Sequence, residues 1–134
     1  MAVPKPVTPG AGWAVQNRAM ATHATIYHNP RCSTSRNTLK LLQESGIEPT
    51  VVKYLDTPPS REELATLLAD AGLKPSEAIR SKEARYKELG LADASEEDLL
   101  TAMVENPILI ERPLVVTGKG TVLARPVDRV REII

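Results

Sequence analysis

The chain has 134 residues, 17 basic and 17 acidic side chains, one cysteine and no phenylalanine. The length suits one domain, and the zero formal balance argues against a general nucleic-acid binder, which carries a basic excess. A lone cysteine excludes a disulfide framework, and no apolar run approaches the ~18 residues of a membrane span.

In chain order, residues 1–23 come first. They hold Pro4, Pro6, Pro9, Gly10 and Gly12 and show no apolar period. A signal peptide needs a basic start and a continuous apolar stretch, so this segment is expected to be a flexible tail, with the folded domain at 24–134. Residues 24–28 form a short β-type run closed by the turn signal Asn29-Pro30. The stretch 34–45 carries Leu39, Leu41 and Leu42 among polar residues, as an amphipathic helix does, and Gly46 stops it. Residues 50–55 are the second expected strand, and Pro58-Pro59 breaks the chain. Ser60 with Glu63 three places on is a capping box that starts a helix to about residue 71. Short helices are expected near 75–80 and 85–90. Ser95 opens another helix that Asn106-Pro107 ends. Residues 114–117 and 121–124 flank Gly118-Lys119-Gly120 as a hairpin. Val127, Val130 and Ile134 then space out one face of a final amphipathic helix. The order β-α-β, helical block, β-β-α gives an α/β fold: a thioredoxin-like mixed four-stranded sheet with flanking helices and a helical insertion.

The chemistry concentrates in His28-Asn29-Pro30-Arg31-Cys32-Ser33-Thr34-Ser35-Arg36. Cys32 falls where the first strand hands over to the first helix. There, free backbone N–H groups and the helix dipole favour an anion. Arg31, Arg36 and His28 lie close in sequence. Such surroundings lower a thiol pKa, and the thiolate is the nucleophile. A lone cysteine is more often a small buried hydrophobe, but the basic neighbours and the strand-to-helix position favour reactivity here. Residue 35 is serine, so no C-x-x-C dithiol exists, and any resolving thiol must come from outside. Thr38 stands where a Cys-x5-Arg phosphate loop needs arginine. His23, His28 and one cysteine fall short of the four ligands of a structural zinc site.

The run Tyr27 to Asn37 resembles the active-site motif of the glutaredoxin-coupled arsenate reductases. The likeness continues through 54–60 and 106–116 and ends near Arg125-Pro126. The family often has glycine directly after the cysteine; here it is Ser33. The resemblance implies Cys32 as nucleophile and Arg80, Arg112 and Arg125 as the oxyanion-binding set, with Lys82 and Arg85 as competitors for the role of Arg80. Arginine's planar fork suits such an anion. The resemblance further gives His28 an electrostatic role toward the thiolate and the Ser35 hydroxyl a hydrogen bond to it. Ser35 could instead cap the helix, and His28 could close the strand end at the surface. Arg36 and Pro113 are supporting residues, the latter as the cis proline of thioredoxin-like folds. The implied reaction is reduction of arsenate to arsenite in the cytoplasm, with no bound cofactor, glutathione as reducing co-substrate and glutaredoxin as partner. Two alternatives remain: a glutathione-dependent oxidoreductase with another substrate, and a Spx-like regulator. Members of the latter group usually carry the C-x-x-C that Ser35 interrupts.

Overall fold

Backbone pairing builds a four-stranded sheet in the order β2-β1-β3-β4 in the computed structural model, which describes residues 23–134. The expected tail, His23 apart, lies outside the described residues. Strand β1 (Ala24–His28) pairs in parallel with β2 (Thr50–Lys53), and the connection between them is helix α1 (Ser33–Glu44). On its other side β1 runs antiparallel to β3 (Leu114–Thr117), which turns back into β4 (Gly120–Leu123). Between the halves lie α2 (Arg61–Asp70), α3 (Pro75–Ala78), α4 (Ala84–Glu88) and α5 (Glu96–Glu105). This is the mixed thioredoxin-like sheet with a helical insertion that the element order implies.

Successive strand residues face opposite sides, and here both sides are covered. Ile26 and Val115 pack beneath α1 with Leu42 and Val130. Their neighbours Tyr27 and Leu114 pack on the other face with Leu64, Leu68 and Met103 of α2 and α5. Leucine, isoleucine, valine and alanine supply most of both layers, as a chain without phenylalanine requires.

Helix starts follow local chemistry. The Ser60 hydroxyl accepts from the Glu63 N–H at 3.1 Å, and the Glu63 carboxylate returns to the Ser60 N–H. The Ser95 hydroxyl likewise accepts from the Asp98 N–H at 3.1 Å. Both satisfy donors that a helix start leaves free.

Two elements differ from expectation. The second strand stops at Lys53 rather than residue 55, because the N–H groups of Asp56 and Thr57 both turn back to the Lys53 carbonyl at 2.9 Å. Tyr54 therefore leaves the sheet. The last element is a 3-10 helix over Val127–Ile133, not an α-helix. Its buried side chains are Val130 and Ile133, three apart. That spacing fits three residues per turn and departs from the Val130–Ile134 pairing expected of an α-helix.

One short contact fixes the insertion against the sheet. After α3 the backbone becomes extended at Ile79, which forms an antiparallel bridge with Ile110. The Arg80 N–H donates to the Leu109 carbonyl and the Glu111 N–H to the Ala78 carbonyl, each at 2.8 Å. Arg80 is thereby brought beside the segment that leads into β3.

Candidate active site

Cys32 is the N-cap residue of α1, with extended backbone (φ −98°, ψ 123°). A hydrogen bond from its own N–H to the Asn29 carbonyl at 3.0 Å closes the preceding turn, and the residue is 8 % exposed. Burial pushes the thiol pKa up. The Ser35 N–H, the Arg112 guanidinium, the Thr34 N–H and the Arg125 side chain pull it down, and together they prevail, so Cys32 lies below its ordinary value. The helix N-terminus and two arginines thus converge on one sulfur.

The arginines arrive from the two ends of the β3–β4 hairpin. Arg112 precedes Pro113 and Arg125 precedes Pro126; both peptide bonds are cis. Pro113 is buried, and its carbonyl accepts from the Ala124 N–H at 3.0 Å. The Arg125 guanidinium donates to the Arg112 carbonyl at 3.1 Å, which locks the two stems together. Arg80 lines the same cleft of about 270 Å³ with Lys82, Glu83, Glu111, Arg112 and Arg125. Its guanidinium is held by Glu83 at 2.9 Å. Arg85, the other competitor, is bound elsewhere by Asn106 and Glu88.

Three supporting residues are held in contacts around the cysteine loop. His28 is 5 % exposed, so it does not cap the strand at the surface. Burial lowers its pKa, with the charges of Lys53 and Arg36 adding to the effect. The direction of that shift disfavours the positive charge that electrostatic support of the thiolate would need. The His28 Nδ1 instead meets the Ser35 hydroxyl at 2.6 Å. That hydroxyl also accepts from the Asn29 N–H at 3.0 Å, so it is engaged in bracing the loop, and the group of Ser35 that serves the sulfur is its backbone N–H. Arg36 is exposed and donates to the Pro30 carbonyl at 2.8 Å. It ties the loop that carries the cysteine.

Sequence reasoning missed three residues. Tyr54, 1 % exposed, has its pKa raised by burial, against a hydrogen bond from the Asn29 side chain and the charges of Arg112 and Arg80, with the Cys32 charge raising it further. Its hydroxyl therefore stands within the site. Asn29 reads in sequence as half of a turn signal and one letter of the cysteine motif; its Oδ1 accepts from the Arg31 N–H at 2.9 Å. Glu111 contacts all three candidate arginines through one oxygen, at 2.8 Å from Arg112 and 4.0 Å from both Arg80 and Arg125. Its only sequence signal is adjacency to Arg112. Among the described residues no group of three or more histidines, cysteines and carboxylates could hold a metal.

A thiol of lowered pKa beside an arginine-lined cleft can attack a bound oxyanion. Known proteins resemble this chain over most of its length. The chain is 56% identical over 112 residues to an arsenate reductase of Rhizobium meliloti, covering 82% of this chain and 80% of that one. It is 51% identical over 118 residues to an uncharacterized protein of Escherichia coli K12, covering 86% and 99%. A solved arsenate reductase from Vibrio cholerae superposes with a TM-score of 0.80 at 49% identity, covering 84% of this chain and 98% of that one. Residues 27–133 match the model of the ArsC family, and with these relatives the match establishes that the chain belongs to that family.

Proposed function

We propose that this ArsC-family protein is an arsenate reductase in which Cys32 is the nucleophile and Arg112, Arg125 and Arg80 hold the oxyanion. The observation that carries this reading is the convergence of the α1 N-terminus, Arg112 and Arg125 on the Cys32 sulfur. Arsenate docks in the cleft with its oxygens toward the guanidinium groups. The Cys32 thiolate attacks arsenic, an As–O bond breaks, and the departing oxygen leaves as water once protonated. The arginines neutralise the negative charge that the oxygens keep through this step. Glutathione then condenses with the bound arsenic, displacing another oxygen as water. A glutaredoxin thiolate attacks the glutathione sulfur. Glutathione and glutaredoxin become a mixed disulfide, arsenic(V) takes up two electrons, and hydrolysis of the remaining As–S bond releases arsenite and regenerates Cys32. With one cysteine in the chain, both oxidised thiols come from outside. Such thiols belong to a reducing compartment, and a cytoplasmic reaction is in keeping with that need.

The direct test is arsenite formation from arsenate with glutathione and glutaredoxin, beside Cys32→Ser. Turnover that needs both thiols and vanishes in the variant is expected. Activity retained by Cys32→Ser would refute the mechanism. A second reading keeps the same activated thiol with a different substrate, since the thiol and the arginine-lined cleft would equally serve another anion. An inactive preparation whose Cys32 still titrates low would support that reading instead.

A further inference from the structure

We propose that Glu111 sets the anion affinity of the cleft: a tethered carboxylate that occupies the arginine cluster and competes with the oxyanion for it. This rests on the oxyanion reading of the cleft given above. The geometry is that of a substitute ligand. One carboxylate oxygen of Glu111 is 2.8 Å from Arg112 and 4.0 Å from Arg80 and Arg125. Three guanidinium groups approach one oxygen of the kind a tetrahedral oxyanion would present. Arg112 Nε remains buried with no hydrogen-bond partner, so the carboxylate satisfies this guanidinium on one side only.

Two further features suit a competitor that yields. The Glu111 backbone is fixed by its hydrogen bond to Ala78 at the Ile79–Ile110 bridge, which holds the side chain at the cleft. The side chain itself is 26% accessible, so it has a path to water when displaced. Glu83, the other acidic residue of the lining, pairs with Arg80 at 2.9 Å and leaves Arg112 and Arg125 to Glu111. An incoming anion must break the Glu111–Arg112 contact, and any share of the cleft that the carboxylate keeps repels the anion's charge. Glu111 therefore weakens binding of every oxyanion. It also clears the product site after reduction, when neutral arsenite cannot hold the arginines against a carboxylate.

The test compares the full chain with Glu111→Gln and Glu111→Asp in steady-state arsenate reduction, with inorganic phosphate as competing anion. Glu111→Gln keeps the shape and removes the charge. Its KM for arsenate and its inhibition constant for phosphate should both fall about ten-fold, the size expected for removing one like charge a few ångströms away at a partly solvated site. Its kcat should not rise. Glu111→Asp keeps a charge in the cleft and should stay near the parent. If Glu111→Gln leaves both constants unchanged or raises them, the carboxylate organises the arginines rather than competing, and the proposal is overturned. If phosphate binds the parent and Arg112→Ala equally weakly, the oxyanion reading itself fails and takes this proposal with it, an outcome distinct from the first.

Discussion

At the residue scale the site works through groups that sequence patterns describe poorly. The basic character around Cys32 was legible, but its sources were misallocated. Arg36 and His28 are close in sequence, yet one ties the loop to Pro30 and the other is buried against Ser35. The arginines that reach the sulfur are Arg112 and Arg125, far along the chain, where only the motif resemblance points to them. Removing the Arg112 charge, in Arg112→Ala, should raise the Cys32 pKa, the effect of losing a nearby opposite charge. The pH dependence of iodoacetamide alkylation measures it directly, and an unmoved midpoint would assign the lowered pKa to the helix N-terminus and Arg125. His28 gives a second prediction. Its folded-state pKa is depressed below the ordinary value of 6.5, so the unfolded chain takes up the proton first. Stability from this residue is complete above about pH 6.5 and declines as pH falls toward the folded value. Urea midpoints at about pH 7.5 and 5.5 should differ less in His28→Gln than in the parent.

At the element scale, local rules held wherever an element's ends carry their own chemistry. The Ser60–Glu63 box is visible in four letters and forms as read. Ser60→Ala should cost about 1 kcal/mol in urea unfolding, the usual loss for an N-cap; no loss would mean that α2 is held by packing alone. Elements were misread where tertiary contacts decide. Residues 50–55 have a uniform β-type composition, so nothing in them marks the turn at Lys53 that sends Tyr54 into the site. Val127–Ile133 has apolar positions compatible with either helical period, and packing of Val130 and Ile133 under the sheet selects the tighter one. The Ile79–Ile110 bridge was beyond reach for the same reason: one residue pair leaves no repeating pattern, although it sets Arg80 and Glu111 side by side.

Across the whole molecule the sheet divides two apolar layers, and the cysteine helix belongs to one of them. Leu42 is fully buried beneath α1 beside Ile26, Val115 and Val130. Leu42→Ala should cost about 2–5 kcal/mol by leaving a cavity there, read as a lowered urea midpoint by circular dichroism. Because α1 presents Cys32, alkylation of the thiol should also lose part of its acid shift in this variant, whereas Met103→Ala, cut into the opposite layer, should destabilise and leave that shift in place. The order of elements makes the layered fold legible in the sequence; the meeting of insertion and hairpin around one cleft is not, since it joins residues far apart in sequence. The hairpin itself has a further consequence. It is a fork whose tines, β3 and β4, are held at fixed separation by their ladder, with Arg112 and Arg125 both at the open end and Gly118-Lys119 at the closed one. The gap between the arginines is set by the tines and not by the handle. Lineages can therefore lengthen, recharge or decorate that distant turn without retuning the anion grip, so variation in this protein has a place to accumulate that selection on catalysis does not see.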